Sequence, residues 1–164
     1  MGTLPIDELR GQVRGEVISS EDERYEDARR VYNAMIDRSP AVIVRAANAG
    51  DVMAGVNLAR EHGLDLAIRG GGHSVPGFGT CDDGVVIDLS GMRGMRVDPA
   101  TSTARAEGGA TWGDFNAATH AFGLATTGGI ISTTGSPVSR SAAGSATSHG
   151  GSDCRSTTSC PRTS

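Results

Sequence analysis

The chain has 164 residues, a formal charge of −4 and 24 glycines. That length suits one domain or two small subdomains sharing a core, and the glycine content is about twice the usual ~7%. The acidic balance and the lack of a long basic run exclude nucleic acid as an expected partner. No apolar stretch nears the roughly 18 residues of a membrane span. The N-terminus "MGTLPIDELRG" has no apolar secretory core, and three cysteines form no disulfide scaffold, so the expectation is a soluble, cytoplasmic protein without a membrane partner.

In chain order, residues 4–37 read as polar and helical, with Ser20 placed to cap a helix whose first turn holds Glu21, Asp22 and Glu23. From Pro40 the pattern changes. "AVIVRA" (41–46) reads as a buried strand, "NAGDVMAGVNLAREHG" (48–63) as a helix with Val52, Val56, Leu58 and Ala59 inward and Gly63 as its stop, and "LDLAI" (64–68) as the next strand. The β-α-β order implies parallel strands. After a glycine-rich loop come strands at 84–90, 92–99 and 103–109, the last two antiparallel across the "DPATS" turn. "TWGDFNAATHAFG" (111–123) reads as an amphipathic helix with Trp112, Phe115 and Phe122 inward.

The loop "RGGGHS" (69–74) is where chemistry concentrates. Three adjacent residues without Cβ atoms let successive N–H groups curve into a nest for a phosphate or diphosphate, and Arg69 would add positive charge. The spacing is neither G-x-G-x-x-G nor a P-loop. On its own the string fits a flexible connection and an ordinary loop histidine as well. Cys81 reads as a small buried residue, Trp112 as core, and Asp82 and Asp83 as a solvated turn.

In full context the sequence from Ser39 to Gly135 closely resembles the FAD-binding domain of berberine-bridge-enzyme-like oxidoreductases. These belong to the vanillyl-alcohol-oxidase, or PCMH-type, superfamily. The resemblance rests on "RGGGHS" and "TTGGIISTTG" (126–135) in that order. It implies an α+β fold, a small parallel βαβ subdomain followed by an incomplete antiparallel one. It implies that Arg69, Gly70, Gly71, Gly72, His73 and Ser74 contact FAD, with His73 covalently bonded to the flavin 8α carbon. Gly128 and Gly129 would approach the flavin, and Thr133, Thr134 and Gly135 its ribityl or phosphate part. No cysteine lies between Gly128 and Gly135, so attachment through histidine alone is expected. Full-length relatives would oxidise a small-molecule substrate by hydride transfer to flavin N5, the electrons usually passing to O2. The alternatives are a non-catalytic nucleotide-binding module and an inactive truncated product. The substrate-side catalytic residue is assigned to nothing in this chain, and no metal is expected.

Residues 136–164 hold nine serines and four threonines in 29 positions, with no Leu, Ile, Phe, Tyr or Trp, a composition that predicts disorder. Here the resemblance stops. Relatives continue V-A-G-L-T-L-G-G-G-x-G, whereas this chain reads S-P-V-S-R-S-A-A-G-S-A. Read one base upstream, serine codons of the TCN type give Phe, Leu, Ile or Val and alanine codons give Cys, Arg, Ser or Gly, so a shifted frame can turn one string into the other. The expected division is a helical N-terminal extension (1–38), a truncated FAD-binding domain (39–135) and a disordered or out-of-frame tail (136–164).

Overall fold

The computed structural model describes residues 4–136 and the short strand segments 141–142 and 144–145. Four strands form the first sheet: β1 (Glu16–Ser19), β2 (Val42–Arg45), β3 (Leu66–Arg69) and β4 (Val85–Asp88), in the order β1-β2-β4-β3. β2, β4 and β3 run parallel, while β1 is antiparallel to β2. Helix α3 (Ala49–His62) makes the crossover from β2 to β3. Asn48 caps its first turn by accepting from the N–H groups of Gly50 and Asp51, and Gly63 ends it at φ 63°.

The alternation of apolar residues distributes them between two cores. Val17, Val42, Val44, Val85 and Ile87 meet Leu9 from α1 (Ile6–Gln12) and Leu58 and Ala59 from α3. Ile18, Ile43, Ala67 and Val86 face the opposite side, against Cys81 and against Tyr25 and Ala28 from α2 (Tyr25–Arg29). Burial raises the Cys81 thiol above its ordinary range, in keeping with a structural thiol.

The second layer begins with the antiparallel pair β5 (Met95–Asp98) and β6 (Thr103–Ala106). Helix α4 (Trp112–His120) packs Trp112 and Phe115 onto Ala104, Ala106 and Ala110. It opens with a capping box, in which Asp114 N–H donates to Thr111 Oγ1 and Thr111 N–H to the Asp114 carboxylate. β8 (Ser141–Ala142) adds to β6, and β7 (Leu124–Ala125) pairs with β9 (Gly144–Ser145).

The α+β class and the parallel-then-antiparallel arrangement follow the sequence reading; several local expectations are corrected. Residues 4–37 are not helical throughout, because "EVIS" forms β1 and completes the first sheet. The N-terminal segment is thus part of that layer and not an extension outside it. Ser20 caps nothing; Asp22 instead accepts from Ser19 N–H, and α2 starts after Arg24. β2 and β3 are parallel but not adjacent, since β4 inserts between them. Phe122 lies beyond α4 and is exposed, and Val56 is half exposed. The Asp82–Asp83 turn is exposed and tied to Ser39, whose N–H donates to Asp82 Oδ1. Most of the tail reading for 136–164 falls outside the described residues.

Candidate functional site at the ends of the parallel strands

One row of partners crosses all four strands of the first sheet. Glu16 pairs with Arg45, Arg45 with Asp88, and Asp88 with Arg69, each of the last three closing its strand. The charges alternate along the row and the ion pairs follow: Arg45–Glu16 at 2.8 Å, Arg45–Asp88 at 3.4 Å and Arg69–Asp88 at 2.9 Å. Arg69 and Asp88 are both buried, and Arg69 also donates to the carbonyls of Ala28 (2.7 Å) and Arg30 (3.3 Å). Burial pushes the Asp88 carboxyl up, but Arg69 and the Ser90 amide pull it down further, so it stays ionised below the ordinary aspartate range. Arg69 is therefore not the free cation expected beside the glycine loop. Its charge is matched by a carboxylate, and its work is to hold β3, β4 and α2 together.

Directly after Arg69 the chain turns through Gly70–Gly72. A Cβ on Gly70 would stand 2.9 Å from the Gly108 carbonyl oxygen. Gly71 lies backbone to backbone against Gly135, too close for any side chain, and Gly72 has φ +71°. This brings together two segments that the sequence separates by some 60 residues. His73 Nε2 lies 3.2 Å from Thr133 Oγ1. The 132–136 stretch is fixed in turn to the start of α4: Trp112 N–H donates to Thr134 O, Gly113 N–H to Ser132 O and Ser136 N–H to Ala110 O. Gly128 and Gly129 are elsewhere. Their missing side chains make room for the Trp112 indole, and neither lines a cleft beside the glycine turn.

Two clefts flank that turn. The smaller, about 240 Å³, is bounded by the charged row and by Tyr32; the larger, about 430 Å³, is lined by Gly70–Ser74, Thr134 and Gly135 together with the apolar side chains of Ile68, Phe78 and Leu89. The larger falls in the range of small-molecule sites. Among the described residues, no acceptor meets the N–H groups of Gly70, Gly71, Gly72, His73 or Ser74. Five successive free donors at the carboxyl ends of parallel strands suit a diphosphate, and the apolar part of the same lining suits an aromatic ring system. The residues present thus fit a dinucleotide. Sequence reading did not single out Ile68, Phe78, Leu89 or Tyr32. Leu89 was findable, because it follows β4 at the end where α/β sheets bind ligands; Tyr32 carried no such signal.

The sequence matches a family described as FAD binding domain over residues 40–159, so the match continues past Gly135, where the motif resemblance stops. Over 118 residues it is 36% identical to (R)-6-hydroxynicotine oxidase of Paenarthrobacter nicotinovorans, covering 72% of this chain and 26% of that enzyme. It is 39% identical over 79 residues to berberine bridge enzyme-like 14 of Arabidopsis thaliana, covering 47% of this chain and 15% of that protein. Among solved structures, BBE-like 1 of Physcomitrella patens superposes with a TM-score of 0.73 at 25% identity, covering 82% of this chain and 29% of that one. The chain therefore spans less than a third of the length of these relatives. Taken with the strand-end amide cradle, these likenesses establish that the chain belongs to the FAD binding domain family, among the berberine-bridge-enzyme-like, PCMH-type FAD-linked oxidoreductases.

Proposed function

We propose that the chain binds FAD through the free amides of residues 70–74 and bonds it covalently through His73, as the cofactor-holding part of a flavin-dependent oxidase. The observation that carries this reading is the run of five N–H groups that meet no acceptor among the described residues, in a turn that lines the same cleft as Ile68, Phe78 and Leu89. A chain of charge −4 attracts no dianion from a distance, so local donors must do the holding. Thr133, Thr134 and Gly135 are assigned to the ribityl or phosphate part, a reading supported by Thr134 and Gly135 lining the larger cleft and by Thr133 meeting His73. Gly128 and Gly129 act indirectly, by admitting Trp112 against the segment that ends at Gly135. When bound, FAD supplies the redox chemistry, accepting a hydride from a small-molecule substrate C–H next to O or N and passing electrons to dioxygen. His73 supplies the nitrogen of the link. Net, its N–H and one C–H of the 8α methyl are lost, an N–C bond forms, and two electrons and two protons leave on dioxygen as hydrogen peroxide.

The test is flavin fluorescence on an acid-treated denaturing gel after incubation with FAD. A fluorescent wild-type band that is absent in His73→Ala is expected. Flavin released on denaturation refutes the covalent link alone, and protein that takes up no flavin refutes the whole reading. The cytoplasm is the proposed compartment; no helix among the described residues is long and apolar enough to cross a membrane.

For residues 136–164 the shifted-frame reading stands as a proposal supported by the abrupt change in composition at Gly135. The family match running to 159 makes the opposite forecast for the gene. Sequencing the transcript across the Gly135 codon separates the two: an apolar, glycine-patterned frame one base upstream supports the shift, and no open frame there refutes it.

A further inference from the structure

We infer that Tyr32 is a positioning residue for the His73 imidazole; this rests on reading His73 as the attachment residue. The Tyr32 and His73 rings are stacked, with centroids 4.1 Å apart and planes 17° from parallel. Tyr32 is 70% exposed, so core packing does not account for it. Its own backbone is fixed, because its N–H donates to the Gly72 carbonyl at 3.1 Å. The residues after it run along the histidine loop as a strap: Asn33 donates to Val75 O, Ile36 packs on Gly77, and Arg38 donates to Thr80 O. Tyr32 is thus held to the loop at several points, independent of its ring.

Tyr32 lines the smaller cleft and His73 the larger, so the phenol stacks on the imidazole without itself lining the cleft proposed for the flavin. Thr133 Oγ1 meets the ring at Nε2, so the stack engages one face of a ring that is also held at one edge. A side chain on a glycine-flanked loop otherwise samples several rotamers, and confining it shortens the search for a reactive geometry.

The test uses the full chain, the two Tyr32 variants Tyr32→Phe and Tyr32→Leu, and His73→Ala as the control for attachment. In the flavin-free protein, the His73 ring protons should resonate upfield through the Tyr32 ring current. They should stay there in Tyr32→Phe and move to exposed-histidine positions in Tyr32→Leu. On addition of FAD, acid-stable flavin should form about tenfold more slowly in Tyr32→Leu and within about twofold of wild type in Tyr32→Phe. Unchanged His73 resonances in Tyr32→Leu, or altered resonances with wild-type incorporation, overturn the proposal. Acid-stable flavin in His73→Ala overturns the attachment reading instead, and the resonances then decide the stack alone. The exposed Tyr32 ring makes both variants compatible with a folded chain, which the amide spectrum verifies.

Discussion

Gly71 and Gly72 are adjacent and chemically identical, yet they are required for different reasons. Gly72 sits at φ +71°, where a side chain is strained; Gly71 faces the Gly135 backbone, where no Cβ fits. Gly72→Ala is expected to cost about 1–2 kcal/mol, the left-handed penalty, with the loop otherwise in place. Gly71→Ala should cost about 1–3 kcal/mol by overpacking and should also separate His73 from Thr133, which Gly72→Ala does not. Urea denaturation gives the first quantity and His73 ring resonances the second. The string "GGGH" made a phosphate nest legible in the sequence. Why each glycine is needed was not legible, because the answer lies in Gly108 and Gly135, which only the fold brings near. Arg69 shows the same limit: its charge was legible, but its pairing with Asp88 depends on parallel register.

At the scale of elements, two buried aspartates join strands and helices. Asp51, at the start of α3, accepts from the N–H groups of Arg14 and Gly15 at 2.9 Å and of Ala47 at 2.8 Å, tying the α1–β1 connection to the crossover helix. Burial pushes its carboxyl up, but those three amides pull it further down, so it lies below the ordinary aspartate value, as does Asp88. A carboxyl lowered on folding contributes stability above its unfolded value, about 3.9, and loses it as pH falls through the folded value. Acid should therefore destabilise the chain progressively below about pH 4, and Asp51→Asn should flatten that decline while lowering stability at neutral pH. Urea midpoints measured from pH 2 to 6 (about two units either side of the ordinary value) test both. Asp88→Ala leaves the Arg69 guanidinium buried without its carboxylate and should cost about 3–5 kcal/mol; replacing both residues by apolar ones should cost less than the single change. A double-mutant comparison that finds the pair worse than the single change counts against this account. Parallel strands and the α3 cap were legible from periodicity and from Asn48 and Gly63 flanking an apolar helix pattern. β1 was not, because four residues of "EVIS" amid charged neighbours acquire strand identity only by pairing with β2.

For the whole molecule, the edges and surfaces matter more than the cores. Among the described residues β3 is a sheet edge, with Leu66 at 40% exposure and Ile68 at 55%, and Val75 and Phe78 are also exposed. An unpaired apolar edge invites association with another chain. The isolated chain is expected to self-associate with rising concentration, and Leu66→Lys, which lines neither cleft, should reduce this in size-exclusion and light-scattering measurements. Unchanged association in that variant would assign it to another surface. The division into a parallel and an antiparallel layer was legible from segment order and turn residues, whereas their relative placement was not. It depends on 132–136 lying along the start of α4 and against Gly71.

The parallel βαβ unit, the β5–β6 hairpin, the α4 pattern and the local backbone freedom at Gly70–Gly72 are written into the order of residues. These follow from side-chain period and from residues without Cβ, which act over a few positions. Folding in three dimensions pairs Arg69 with Asp88, sets Trp112 in the space at Gly128 and Gly129, and brings Tyr32 and Thr133 to His73. Those outcomes depend on strand order and on contacts between distant segments, and no local pattern encodes which remote partner a buried charge or a ring will find.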